Sequence, residues 1–206
     1  MQHRIFIAIN LPEDIKKTLV DYQLKWPELP VRWTKKDNLH ITLVFIGYAS
    51  DEDIGRVCKA AEETVSRHQP FLINLNRICY GPPKKIPYSE TKSLTGRRDE
   101  IANRPPRMVW VKGETPKELS SLREDLEKSL SDSGIRFESE DRGFTSHITL
   151  GRVRTWEWRQ IEPEERPEVE EEISLSFPVN SIEVMESQLK RGGAEYTILE
   201  SIKLEK

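Results

Sequence analysis

Hydrophobic positions along this chain switch between two periods, and the switches run through the same order twice. Arg4 to Ile9 is a dense run of branched and aromatic residues, which predicts a strand. Pro12-Glu13-Asp14 then opens a helix whose apolar residues Ile15, Leu19, Tyr22 and Trp26 recur at helical spacing. A strand follows over Leu39 to Ile46, ended by Gly47, then a helix over Asp51 to Arg67 and a strand over Phe71 to Leu75. From Arg107 the order starts again. A strand runs to Val111, and Pro116 opens a helix to about Ser131 with Leu119, Leu122, Leu126 and Leu130 on one face and Gly134 as its cap. A strand over Ser146 to Arg152 comes next, and strands over Ser181 to Lys190 and Glu195 to Leu204, with Gly192-Gly193 as their turn, close the pattern.

The repeat predicts an α+β fold of two pseudo-symmetric β-α-β lobes, about 1–80 and 107–180, completed by the strands of 181–204. At 206 residues the chain suits a single domain over 1–206. No stretch approaches the roughly 20 apolar residues of a membrane-spanning helix, and the run at Ile5 to Ile9 ends too soon for a signal peptide, so a cytoplasmic protein is expected. Cys58 and Cys79 fit neither a disulfide framework nor a zinc site and are expected to pack. The net charge of −3 excludes a protein that coats nucleic acid by bulk electrostatics, while leaving room for a local phosphate site.

Two segments break the repeat. Between Pro82 and Arg107, seven Lys and Arg residues face three acids among several prolines, which predicts a long basic loop over 82–106. Eight glutamates against two arginines from Glu157 to Glu172 predict a solvated acidic segment.

Each half carries the same tetrapeptide, His-Ile-Thr-Leu, at 40–43 and 147–150. In a strand the faces alternate, so His40 and Thr42 share one face, as do His147 and Thr149, while the aliphatic residues between them anchor the strand. A core needs only those aliphatics, so packing does not explain the repeated His and Thr. His3 and His68 serve as controls, since neither has a threonine two residues on. Two imidazoles with ordinary pKa values near 6.5 suit one base and one acid at neutral pH, and no Cys or Ser nucleophile signature stands beside them. In-line displacement at phosphorus wants such a pair on opposite sides of the reacting atom. Thr42 and Thr149 can donate to phosphate oxygens, and the planar fork of Arg152 can clamp them, although strict alternation turns Arg152 away from His147. This chemistry needs no metal and no cofactor. A zinc site would want a third ligand, and none has a motif spacing here.

The paired His-x-Thr-x motifs resemble the two-histidine (2H) phosphoesterase superfamily, in particular its RNA 2′,3′-cyclic phosphodiesterase branch of the LigT/ThpR type. The blocks Arg4 to Pro12, Asn38 to Gly47, Val109-Trp110, His147 to Arg152, Ser187-x-Leu189 and Gly193-x-x-Tyr196 are similar to that branch. The resemblance implies antiparallel sheets flanking a central cleft and hydrolysis of a terminal 2′,3′-cyclic phosphate to a 2′-phosphomonoester. His40 would be the proton donor and His147 the proton acceptor, with Thr42, Thr149 and Arg152 on the phosphate. It further implies RNA ends or cyclic nucleotides as partners, no membrane, a monomeric chain, and kinship with enzymes that form 2′-5′ RNA linkages. A non-catalytic RNA-end binder is the alternative, because it would share every phosphate contact. By pattern alone Arg4, Trp33, Tyr88, Trp110 and Tyr196 are not assigned to the site, since aromatic residues at strand positions more often belong to the core.

Overall fold

In the computed structural model, which describes residues 1–83, 105–137 and 144–205, the first apolar run forms β1 (Gln2–Asn10). Ile5, Ile7 and Ile9 enter the main core from one face, while Phe6 and Ala8 join a smaller cluster with Met185 on the other. Burial on both faces is why the run carries no polar residue between Ile5 and Ile9.

The chain continues through α1 (Glu13–Gln23), β2 (Val31–Trp33), β3 (His40–Ser50), α2 (Asp51–Val65), β4 (Phe71–Gly81) and β5 (Met108–Gly113). It then forms α3 (Lys117–Asp132), β6 (His147–Val153), a single turn α4 (Thr155–Trp158), β7 (Glu170–Val179), β8 (Ser181–Lys190) and β9 (Gly193–Lys203). Ser50 and Asp53 cap α2 reciprocally, each side chain meeting the other's backbone N–H. Behind α3 the Ile135 N–H donates to the Leu130 carbonyl at 3.0 Å and the Gly134 N–H to that of Ser131 at 2.9 Å, the stop expected at Gly134. Ile15 and Leu19 of α1, Val57 and Ala61 of α2 and the four leucines of α3 all enter the cluster that holds Ile5, Ile7, Ile41 and Ile148. The helices therefore cover one face of the sheet and leave the other to the polar residues of the motifs.

The strands form one antiparallel sheet in the order β7-β4-β5-β6-β3-β1-β8-β9, with β2 added on β6. Its centre is thin: β3 and β6 pair only at Ile41 and Ile148. Strand β4 pairs with β5 and β7, and β8 and β9 both extend the edge begun by β1, so the His40 half holds β1, β3, β8 and β9 and the His147 half holds β4 to β7. The physical reason is that successive strands pair most readily with their neighbours in sequence, and β4 and β5 meet from Gly81 and Met108 onward.

Two local expectations change. Gly47 does not end β3. It sits opposite Ile5 with φ +87 in a bulge that leaves Ile46 unpaired, and the strand runs on to Ser50. The turn between β8 and β9 is Arg191-Gly192, because Lys190 already pairs with Gly193. The acidic stretch exposes most of its glutamates, as expected, but is anchored as well: Trp158 and Val169 are buried, the Tyr80 hydroxyl donates to the Pro167 carbonyl at 2.7 Å, and Glu170 to Glu172 open β7. Of the basic loop, residues 84–104, with Lys84, Lys85, Tyr88, Arg97 and Arg98, lie outside the described residues. Among the described residues no helix is long and apolar enough to cross a membrane.

Candidate active site

The two motif strands are built alike, residue for residue. In the His40 half, β1 sets Asn10 opposite His40, Ala8 opposite Thr42 and Phe6 opposite Phe45. In the His147 half, β5 sets Lys112 opposite His147, Trp110 opposite Thr149 and Met108 opposite Arg152. Both strands carry a bulge directly after the threonine, between the pairs Ala8–Thr42 and Ile7–Val44 and between Trp110–Thr149 and Val109–Gly151. A bulge resets the alternation of faces. Residues opposite one another share a face, so Arg152 lies with Met108 and Trp110 on the histidine face, and the objection from strict alternation disappears. The antiparallel pairing at Ile41 and Ile148 brings the two motifs side by side, and His40, Thr42, His147, Thr149 and Arg152 share the uncovered face.

The imidazoles are fixed in the same way. His40 Nδ1 lies 2.7 Å from the Asn38 carbonyl and His147 Nδ1 lies 2.8 Å from the Thr145 carbonyl. A carbonyl only accepts, so each Nδ1 carries a proton and each Nε2 is the unprotonated nitrogen of the neutral ring. His40 Nε2 accepts from the Thr42 hydroxyl at 2.9 Å. Thr149 departs from this pattern: its hydroxyl approaches Met108 Sδ at 3.9 Å, and the Trp110 indole N–H donates to the same sulfur at 3.3 Å.

The surroundings of the rings differ. Phe6 and Tyr196 pack on His40 with centroids 5.0 and 5.2 Å away, Tyr196 edge-on. Burial is the main cause that pushes His40 down to about 4. The Asn38 carbonyl works against it, and the charges of His147 and of Lys16, whose side chain is only 6% exposed, add to it. His147 instead stacks on Trp110, with centroids 3.9 Å apart and planes 23° apart. That stack depends on Gly81, where an added β carbon would sit 2.0 Å from the indole Cδ2.

The control histidines behave as bystanders. His3 Nδ1 is 2.6 Å from Glu186 and its Nε2 is 3.1 Å from Asp51, and the bond to Glu186 is the first cause that raises its pKa. His68 pairs with Asp125 at 2.9 Å. Trp110 and Tyr196, which the sequence pattern assigned to the core, touch the two motif histidines; their signal was the alternation that sets each on the face of the neighbouring motif. Lys16 and Lys112 were not singled out at all. Arg4, opposite Tyr48 near the start of β1, and Trp33, stacked on Trp26 at 6.4 Å, stay away from both rings. Among the described residues no group of three His, Cys, Asp or Glu side chains is arranged to hold a metal ion.

Comparison with known proteins gives the family. The family model described as LigT like Phosphoesterase matches residues 9–89 and 109–196, one stretch for each motif. An RNA 2′,3′-cyclic phosphodiesterase of Methanothermobacter thermautotrophicus is 26% identical over 99% of this chain and 100% of its own length. One from Thermus thermophilus is 27% identical over 98% of this chain and 90% of its own. The crystal structure of Escherichia coli LigT complexed with 3′-AMP superposes with a TM-score of 0.74 at 24% identity, all of both chains being covered, and shares the fold. With both of its motif-bearing stretches matched, the chain belongs to the LigT-like phosphoesterase family.

Proposed function

We propose that this protein hydrolyses the terminal 2′,3′-cyclic phosphate of RNA to a 2′-phosphomonoester by general acid and base catalysis. His147 Nε2 takes a proton from water as its oxygen bonds to phosphorus. His40 Nε2 gives a proton to the 3′ oxygen as the bond from phosphorus to that oxygen breaks. Thr42, Thr149 and Arg152 donate to the non-bridging oxygens, whose charge grows during the displacement. With a sugar hydroxyl in place of water, the same transfers give a 2′-5′ linkage.

The observation that carries this reading is the shared tautomer. Two imidazoles on one sheet face each have Nδ1 tied to a carbonyl, which makes Nε2 the unprotonated nitrogen of the neutral ring, and the family's curated relatives are RNA 2′,3′-cyclic phosphodiesterases. His40 is neutral in the free protein at pH 7, so the acid role requires the anionic phosphate to raise its pKa on binding. The test is incubation with a 2′,3′-cyclic mononucleotide in the absence of added metal, followed by phosphorus NMR. The 2′-monoester is expected, with His40→Ala and His147→Ala each at least about 10²-fold slower. Substrate left intact by the wild type means a protein that only binds RNA ends, and near-normal turnover by either variant removes that histidine from the reaction.

A further inference from the structure

The cationic groups around the site exceed what one cyclic phosphate can use. Strand β2 crosses to the His147 half and sets Arg32 directly opposite Arg152. Val31 and Val153, the next pair along, are both in the core, so the two arginines share the opposite, histidine-bearing face. Like charges directly opposite each other in an antiparallel pair repel. Among the described residues no carboxylate pairs with either arginine. On the β8–β9 hairpin Glu195, two residues beyond Gly193, is held by Lys190.

The Arg32 head group lies against Gly193, its Nη2 3.6 Å from where a β carbon on that glycine would sit. Gly193 is three residues from Tyr196, whose ring packs on His40. Arg32 thus reaches from the Arg152 strand to the β8–β9 hairpin whose Tyr196 packs on His40, and a cyclic phosphodiester brings only one negative charge to these arginines. A second anion, covalently attached to the first, would relieve the repulsion.

We infer that Arg32, set beside the Arg152 that faces the cyclic phosphate, binds a second phosphate of the substrate, the diester that joins the terminal nucleotide to the rest of an RNA strand. This deepens the proposed reaction and rests on it: the preferred substrate is an oligonucleotide end rather than a cyclic mononucleotide. The 5′ oxygen of the terminal sugar carries that diester, so specificity is set one phosphate away from the chemistry.

The experiment compares kcat/KM for a 2′,3′-cyclic mononucleotide with a free 5′ hydroxyl and for a dinucleotide ending in the same nucleotide. The wild type is expected to prefer the dinucleotide. Arg32→Gln is expected to cut that preference about tenfold, the scale of one charge-assisted contact. Arg32→Lys should restore part of it, and the control Arg154→Gln, which removes an exposed charge paired with Glu157, should leave the ratio as it was. An equal ratio in wild type and Arg32→Gln, or an equal loss on both substrates, overturns the inference while leaving the proposed reaction standing. If the wild type turns over neither substrate, the proposed reaction fails, and binding of the two 2′-phosphorylated products decides the second phosphate alone. A salt slope steeper by roughly 0.7 for the dinucleotide, lost in Arg32→Gln, supports it, and matching slopes reject it.

Discussion

The two halves of the sheet share a backbone plan and differ in what hangs from it. At equivalent places the His40 half carries Asn10, Ala8, Phe6 and Phe45, and the His147 half carries Lys112, Trp110, Met108 and Arg152. One imidazole packs against the Phe6 and Tyr196 rings, and the other, on a strand that also carries Arg152, stacks on the Trp110 indole. Duplicated geometry delivers two Nε2 atoms to one sheet face, while divergent neighbours bury the His40 ring and lay the His147 ring on an indole. The lesson is that symmetry of the main chain sets where the two rings stand, and the side chains around them set how alike their surroundings are.

The largest effects should come from the histidines themselves. In His40→Ala combined with His147→Ala, turnover should fall little below that of the slower single variant, because both groups act in one displacement. A multiplicative loss would mean that the halves act independently.

Next come the supports of the two rings. Trp110→Ala should cost about 3 kcal/mol in denaturant unfolding, since the indole is almost fully buried between Gly81 and His147. Tyr196→Ala, which removes a half-buried ring, should cost about 1 kcal/mol. The reverse order would break the comparison.

The titration of the histidines follows. By NMR, His40 should titrate at about 4 in the free protein and His3 above its ordinary 6.5, and His147→Gln should move His40 upward by removing a positive neighbour. A folded pKa below the unfolded one means that the His40 contribution to stability is complete above about pH 6.5. It is lost as the pH falls toward 4, by up to about 3 kcal/mol. His40→Gln should flatten that part of the pH–stability curve. A curve unchanged by the substitution would show that burial does not govern His40.

The smallest effect tests the threonines. The Thr42 hydroxyl donates to the lone pair that a proton would occupy, so Thr42→Val should raise the pKa of His40 by a few tenths of a unit. Thr149→Val should leave it in place, because that hydroxyl turns to Met108. Equal shifts in the two variants would erase this asymmetry.

Much of this was legible in the sequence for a clear reason. Repetition of His-Ile-Thr-Leu on matching elements, with apolar partners at 41, 43, 148 and 150, is local information, and it identified both rings and the helices behind them. The face of Arg152 was not legible, because it is set by a bulge, and a bulge is a property of two paired strands rather than of one. Trp110 and Tyr196 were hidden for a related reason: alternation tells which face a residue takes, but strand order decides what it meets there. Membership of β4 in the His147 half is likewise non-local. In β7 the leading glutamates masked the alternation of Ile173, Phe177 and Val179, which is plain once β4 stands beside them.

The course of the chain through the sheet has a practical consequence. Phe71 at the start of β4 pairs with Val179 at the end of β7, so the segment bearing His147 leaves and rejoins the rest of the molecule at a single spot. Its two ends lie next to each other in the sheet. Grafting 71–179 from a relative therefore takes two splices lying next to each other. The graft must match the Ile41–Ile148 seam and offer β2 a strand to dock on, and it would transplant His147 together with Lys112 and Arg152 while leaving His40 untouched.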